Sequence, residues 1–333
     1  MELRKPPYYD TFRCLSGTCP DSCCHLWEVQ VDEDSASAYR DFPGALGDTL
    51  RNALYEEDGE TYLGLTGEGR CPMWREDGLC RLQAELGEAY LCHTCRDFPR
   101  LRHDYGSFVE LGLELSCPEA ARLILEDESG ALLSTHVPGG EAPEYEEAAM
   151  AVLEASRKVA LTLLDGTYPP QEALALLLLY GAQAQEALDG GTLAGFSPEQ
   201  ALETAAQFAL PGDMEEILDF FRNLEILTPH WQRLLECPAP APWEKEYLAL
   251  ARYFVNRYWL QAVSDYDLYG RVKFAVIACL VIRHLGGTLI QTAQLFSKEI
   301  ENDGNNVDAI LDGAYRFSGF ADARLLGLLL NFS

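Results

Sequence analysis

Nine cysteines crowd the stretch from Cys14 to Cys117, and they constrain this chain more than any other feature. They are Cys14, Cys19, Cys23, Cys24, Cys71, Cys80, Cys92, Cys95 and Cys117, with only Cys237 and Cys279 outside. Free cysteine buried as a small apolar side chain accounts for one or two such residues, not for nine. The N-terminus, Met1 to Pro7, lacks the apolar stretch of a secretory signal, which leads us to expect a cytoplasmic protein. In a reducing compartment a cluster of this density points to metal ligation or redox chemistry rather than to disulfides.

The spacing agrees. Cys14 and Cys19 are separated by four residues, Cys19 and Cys23 by three, and Cys92 and Cys95 by two. Ligands so close in sequence reach one centre from a turn, and thiolates are soft donors suited to zinc or to iron–sulfur clusters. Cys71 and Cys117 are each followed by proline, as is Cys19, and ferredoxin-type motifs also end in Cys-Pro. Cys23 and Cys24 are adjacent, so they serve different centres or only one of them ligates. Nine donors exceed the four of one site, which leaves either two centres or several non-ligating thiols. His25, His93 and His103 are nearby; His93, between Cys92 and Cys95, is the best outside candidate, although core or solvent-facing roles suit all three. The run does not match the spacing of radical S-adenosylmethionine enzymes, and Cys92-His93-Thr94-Cys95 sits in no βαβ pattern of the thioredoxin kind.

Two regions with different grammar follow from the hydrophobic pattern. Residues 1–125 read as an irregular cysteine-rich module with strand-like pieces at 27–31 and 108–115. Short helices are expected near 35–41, 82–88 and 118–125, the last opened by Pro118 at its first position. Residues 126–148 read as a polar connection, and residues 149–333 as a helical region. Its helices are expected at 149–164, 171–188, 243–263, 268–285, 288–301, 306–312 and 321–330, with shorter ones beginning at Ser197, Asp213 and Thr228, each of which reads as a cap. The fold class expected is mainly α: a metal-nucleated N-terminal module packed on a C-terminal helical bundle. A loop-rich segment of that kind buries little apolar surface, and bound metal would supply the missing folding free energy.

The formal net charge of −28 argues against nucleic acid or anionic lipid as a partner and suits either a lysine-rich partner or a merely solubilising surface. The longest apolar runs, 173–180 and 274–282, are too short to cross a bilayer. No strand runs into a G-x-G-x-x-G turn and no P-loop is present, so a Rossmann-type methyltransferase or a nucleotide enzyme is not expected.

Longer phrases carry a resemblance. These are Pro7 to Cys14, Cys19-Pro-Asp-Ser-Cys23-Cys24-His-Leu-Trp27, Cys71-Pro-Met-Trp74, Asp77-Gly-Leu-Cys80-Arg-Leu-Gln83, Leu91-Cys92-His-Thr-Cys95-Arg-Asp-Phe-Pro-Arg100 and Leu115-Ser-Cys117-Pro-Glu-Ala-Ala-Arg122. Asp265 to Tyr269 and Phe296 to Glu301 extend it into the C-terminal half; Asn302 then stands where the family often has a histidine. In these phrases the chain resembles flagellin lysine N-methylases, and its middle part resembles zinc- or iron–sulfur-binding cysteine-cluster proteins.

The resemblance implies methyl transfer from S-adenosylmethionine to lysine side chains of flagellin, or of another lysine-bearing protein, and a [4Fe–4S] cluster, with zinc as the alternative. Phrase matching ranks Cys71, Cys80, Cys95 and one of Cys23 and Cys24 first as ligands, then Cys19, Cys14, Cys117 and Cys92. Methylation needs a neutral, in-line amine, hence a base or a depressed lysine pKa. Tyr8, Tyr9 and Asp10 are candidates by position only, with packing or helix capping as their plain reading. Trp27, Trp74 and Phe98 are expected to cover the metal. Arg96, Arg100 and Arg102 are expected either to balance a thiolate-rich or cofactor charge or to pair with acidic neighbours. Two other functions fit the cysteines: a structural zinc module that recruits a partner, and an iron–sulfur redox protein without methyl transfer.

Overall fold

The computed structural model describes residues 1–330. It is mainly helical, with two small sheets in the N-terminal part. The first sheet has the strand order β5-β6-β1-β7, formed by Arg100–Asp104, Phe108–Leu113, Glu2–Lys5 and Leu133–His136. β1 runs parallel to β6, with Leu3 opposite Val109, and antiparallel to β7, with Leu3 opposite Thr135. β7 therefore arises inside the stretch expected to be a plain polar connection; its four residues are exposed and carry no period-two apolar signal. The second sheet has the order β2-β4-β3, from Val29–Val31, Glu60–Leu63 and Leu54–Glu57.

Short helices fill the spaces between these strands. α1 (Glu33–Asp41) and α2 (Gly44–Ala53) lie between β2 and β3. α3 (Arg81–Leu86) and α4 (His93–Asp97) precede β5, and α5 (Pro118–Glu126) follows β6. Asp32 caps α1 by accepting the Ser35 N–H at 3.0 Å, an interaction that satisfies one of the orphan donors of a first turn.

The C-terminal region contains ten α-helices among the described residues: α6 (Glu147–Leu163), α7 (Pro170–Leu188), α8 (Pro198–Phe208), α9 (Met214–Arg222), α10 (Pro229–Glu236), α11 (Glu246–Tyr258), α12 (Leu268–Leu285), α13 (Leu289–Phe296), α14 (Gly304–Arg316) and α15 (Asp322–Leu330). Asp213, Thr228, Asp267, Thr288 and Asp303 cap their helices with side-chain oxygens. Ser197 makes no such bond, so its expected cap is not formed. α12 is buried on nearly every face and packs against α7, α14 and α11, the environment that a helix apolar all round requires. α13 runs without a break into a π-helical turn, Ser297–Glu301.

The sheet is joined to the bundle by a buried ion pair. Arg157 on α6 donates to both carboxylate oxygens of Glu110 on β6, at 2.6 and 2.7 Å. Buried charges persist only when paired in this manner.

Two hydrophobic cores result. The larger joins Phe12, Phe108, Leu113, Leu115 and the apolar face of α5 to the whole helical bundle. The smaller contains Val29, Val31, Tyr39, Leu50, Leu63, Met73 and Leu82, together with Cys71 and Cys92. No helix among the described residues is long and apolar enough to cross a membrane.

Candidate metal centre

The two cores meet at a cavity of about 470 Å³, and all nine N-terminal cysteines line it. Three of them occupy the same local position: Cys80, Cys92 and Cys117 are the N-cap residues of α3, α4 and α5. An N-cap side chain points toward the free N–H groups of the first turn, a setting that favours thiolate over thiol. In Cys117 and Cys80 burial outweighs this and pushes the thiols up, to about 11 in Cys117.

Cys14, Cys19, Cys23 and Cys24 come from the loop that connects β1 to β2. The Cys19 thiol donates to the Asp21 carbonyl at 3.2 Å, and the Ser16 N–H points at the Cys14 sulfur at 3.4 Å. This loop lies close to the turn that carries Cys80: a Cβ on Gly17 would stand 2.6 Å from the Asp77 carbonyl oxygen. Gly78 on the facing turn has φ +77°, and its own Cβ would meet the Gly17 backbone at 3.1 Å. Glycine at both positions thus brings the two cysteine loops together. Cys71 is held by its N–H, which donates to the Cys24 carbonyl at 2.8 Å.

Neighbouring thiols shift one another's proton affinity. Cys24 lies far below the ordinary thiol range because the Cys23 and Cys71 thiols donate toward it, and both of those are pushed up in return. Cys92 is lowered to about 7 by Cys95, which is raised.

Among the described residues, no three histidine, cysteine or carboxylate side chains converge on the position of one metal ion. The donors instead surround a space. By donor chemistry the lining fits a thiolate-bound group: nine thiols, and no histidine. His25 lies edge-on to Trp74, 5.7 Å between ring centroids. His93 donates its N–H to Asp32 at 2.8 Å. His103 sits on β5 with Nε2 buried and unpartnered. None of the three lines the cavity, which agrees with reading all three, His93 included, as core or solvent-facing residues rather than ligands.

Trp27 and Phe98 form part of the wall, with their rings 6.0 Å apart, whereas Trp74 stands outside the lining. Arg96 and Arg100 line the cavity; Arg102 does not and pairs with Asp104 at 2.7 Å. Tyr8, Tyr9 and Asp10 are also absent from the lining: Tyr8 is held by the larger core beside Asp127 and Arg252, and Asp10 pairs with Lys5 at 2.6 Å. Tyr253 in the larger core and Tyr258 packed against it both donate their hydroxyls to Glu301.

A polar group that braces the cavity wall from behind escaped the sequence reading: Lys298 and Gln294, both outside the lining, hold Asp21, which is part of it. Lys298, from the π-turn, reaches Asp21 at 2.7 Å and lies 4.8 Å from the centre of the Trp27 ring. Gln294, one turn earlier, donates to Asp21 at 2.9 Å and to the Ser116 carbonyl at 2.8 Å. Asp21 lies between Cys19 and Cys23, and Ser116 precedes Cys117, so one helix from the C-terminal bundle grips two cysteine loops.

The flagellar biosynthetic protein FliU of Salmonella muenchen is 33% identical to this chain over 133 residues, covering 38% of the chain and 79% of FliU. The chain belongs to the FliU and lysine-N-methylase family. The lysine-N-methylases of Salmonella typhimurium and Salmonella choleraesuis are each 33% identical over 145 residues. That match covers 40% of this chain and only 35% of each of those family members. No family model matches the chain, and no solved structure resembles it.

Proposed function

We propose that this protein transfers methyl groups from S-adenosylmethionine to lysine side chains of flagellin and carries a thiolate-bound iron–sulfur cluster in the cysteine-lined cavity. The observation that carries the reading is the convergence of all nine cysteines of the family phrases on one cavity. The spread of the sulfurs around a space, rather than about a point, favours a polynuclear centre over a single zinc ion. When bound, the cluster supplies redox-active iron and cross-links the loops that ligate it.

The lysine ammonium first releases one proton to water; its nitrogen then forms the new bond to the methyl carbon as the methyl–sulfur bond breaks, its electron pair staying on the sulfur of the departing S-adenosylhomocysteine. The amine must therefore arrive neutral and be shielded from water. Trp27, Leu63, Met73 and Phe98 give the cavity an apolar wall that serves this shielding. The donor's carboxylate calls for a cation, and Arg96 and Arg100 in the lining are the residues that would hold it. Both sheets are small and neither is the doubly wound sheet of nucleotide-binding folds, so the donor would bind to this lining rather than at a glycine-rich turn. The net charge of −28 draws in a lysine-bearing substrate.

The test is anaerobic purification, analysis of iron, sulfide and zinc, and then incubation with flagellin and S-adenosylmethionine. Brown protein that adds 14-Da increments (about one methyl group each, the mass step of a lysine transfer reaction) to lysine peptides of flagellin supports the reading. Cluster-replete protein that leaves flagellin unmodified overturns the methyl-transfer part. Colourless protein with zinc and no sulfide overturns the cluster part.

A further inference from the structure

We infer that Lys298 sets the reduction potential of the group held by the lining thiols: its buried ammonium favours the reduced, more negative state. The inference rests on the cluster reading above and assigns a fixed charge of this chain to that centre.

Lys298 and Gln294 stand four residues apart on one unbroken helical run, so both reach the same loop. Gln294 fixes that loop, bonding Asp21 at 2.9 Å and the Ser116 carbonyl at 2.8 Å. Lys298 adds a charge. Its Nζ meets Asp21 Oδ1 at 2.7 Å and lies 4.8 Å from the centre of the Trp27 ring. Asp21 and Trp27 both line the cavity, and Lys298 stands behind them. The ammonium is thus one side chain away from the thiol-lined space.

The other charges of the π-turn are engaged elsewhere. Glu299 accepts the Leu227 N–H at 2.7 Å, and Glu301 pairs with Arg257 at 3.1 Å. The remaining charges of the cavity lining meet water or a partner. Arg13, Glu88 and Arg100 are exposed, Arg96 lies 3.6 Å from Asp97, and Glu119 pairs with Arg122 at 2.7 Å. Water and salt screen exposed charges, whereas a charge cut off from solvent acts through a weakly polarisable interior and is felt further away. Only 1% of the Lys298 side chain is accessible, so solvent masks this cation least.

Reduction adds one electron, and hence one negative charge, to the thiolate-bound group; the electron comes from the external reductant. A fixed positive charge beside the centre stabilises the product of that step and raises the potential, because local charge is one of the factors that set it. Asp21 acts in the opposite sense. The cavity wall therefore carries two charges of opposite sign that can be removed one at a time.

The experiment uses the full chain, purified without oxygen. The iron–sulfur absorption is titrated with dithionite in the presence of mediator dyes, in the wild type, Lys298→Met, Lys298→Arg, Asp21→Asn and the Lys298→Met/Asp21→Asn double variant. Lys298→Met should move the potential to more negative values and Asp21→Asn to more positive ones, with the double variant between them. Lys298→Arg keeps the charge and should stay close to the wild type. The shifts should persist when salt is raised from about 0.1 M to about 1 M, which shortens the screening length from about 10 Å to about 3 Å. A loosened loop alone would not move the potential in opposite directions. If Lys298→Met retains too little cluster to titrate, Asp21→Asn decides by itself through its required upward shift. Shifts of the same sign, or an unmoved potential in either single variant, overturn the inference and leave the cluster reading standing. Wild-type protein without iron or sulfide overturns the cluster reading itself, and this inference with it.

Discussion

Lys298 carries its ammonium into the interior and meets one carboxylate there, that of Asp21, with the Trp27 face on its other side. Only 1% of its side chain is accessible, against 29% for Asp21. A buried ammonium is tolerated only because of such partners. Replacing it with methionine would remove the charge and leave Asp21 with the Gln294 amide alone. The cost to the fold should be on the order of 2 kcal/mol, reduced from the fully buried case because Asp21 still reaches water. The more telling effect is local. With its loop held less firmly, Lys298→Met protein should keep its helical circular dichroism but lose iron, and its remaining colour should bleach faster in air. Unaltered iron content and bleaching would assign Lys298 a purely structural role, like that of Arg157 on Glu110, which lies outside the cavity lining.

Helix starts do much of the positioning in this protein. Cys80, Cys92 and Cys117 each occupy an N-cap, where serine or aspartate would be usual, so three short helices deliver thiols to one place. Asp32 links two such starts: Oδ1 caps α1 through Ser35, and Oδ2 accepts the N–H of His93 in the first turn of α4. Burial acts to raise its pKa, but the N–H groups of His93 and Ser35 outweigh it and hold Asp32 at about 2. Its folded value therefore lies below its unfolded one, near 4. The stability it contributes is present above pH ~4 and disappears as the pH falls through ~2. Asp32→Ala should cost about 1 kcal/mol at neutral pH, measured by urea denaturation, and the gap to wild type should narrow across that acid window; a gap independent of pH would mean that the ionised carboxylate does not matter.

The same caps explain what the sequence revealed. Asp213, Thr228 and Thr288 mark helix starts by residue type, and those helices form where expected. α2 begins at Pro43 with no capping side chain, and β1 and β7 lack alternation, so none of the three left a local signal. The cysteines were legible because soft donors have few other reasons to cluster. The Lys298–Asp21 contact was not, since 277 residues separate the partners and a π-turn has no residue signature.

At the scale of the whole molecule the two cores differ in what sustains them. The larger one runs through α6, α7, α11 and α12 and has ample apolar contact to stand without help. The smaller one consists of a three-stranded sheet of short strands, two one-turn to three-turn helices on either side, and cysteine side chains that count among its buried members. Small loop-rich cores of this type depend on bound metal for much of their folding free energy. Metal removal should therefore act on one part of the chain. After reduction and chelation, amide hydrogen exchange should accelerate by orders of magnitude across residues 29–92 while α7 and α12 keep their protection. Thermal unfolding should split into an early step, sensitive to chelator, and a late one that is not. Such behaviour would be local unfolding of one cooperative unit beside an intact neighbour. The Gln294 and Lys298 contacts set the boundary of that unit: they hold the Cys19–Cys23 loop from the bundle side, so this loop should lose protection less than the segment beyond it. A single transition, identical with and without chelator, would mean that the small core folds on apolar contact alone and that the cavity's thiols add nothing to its stability.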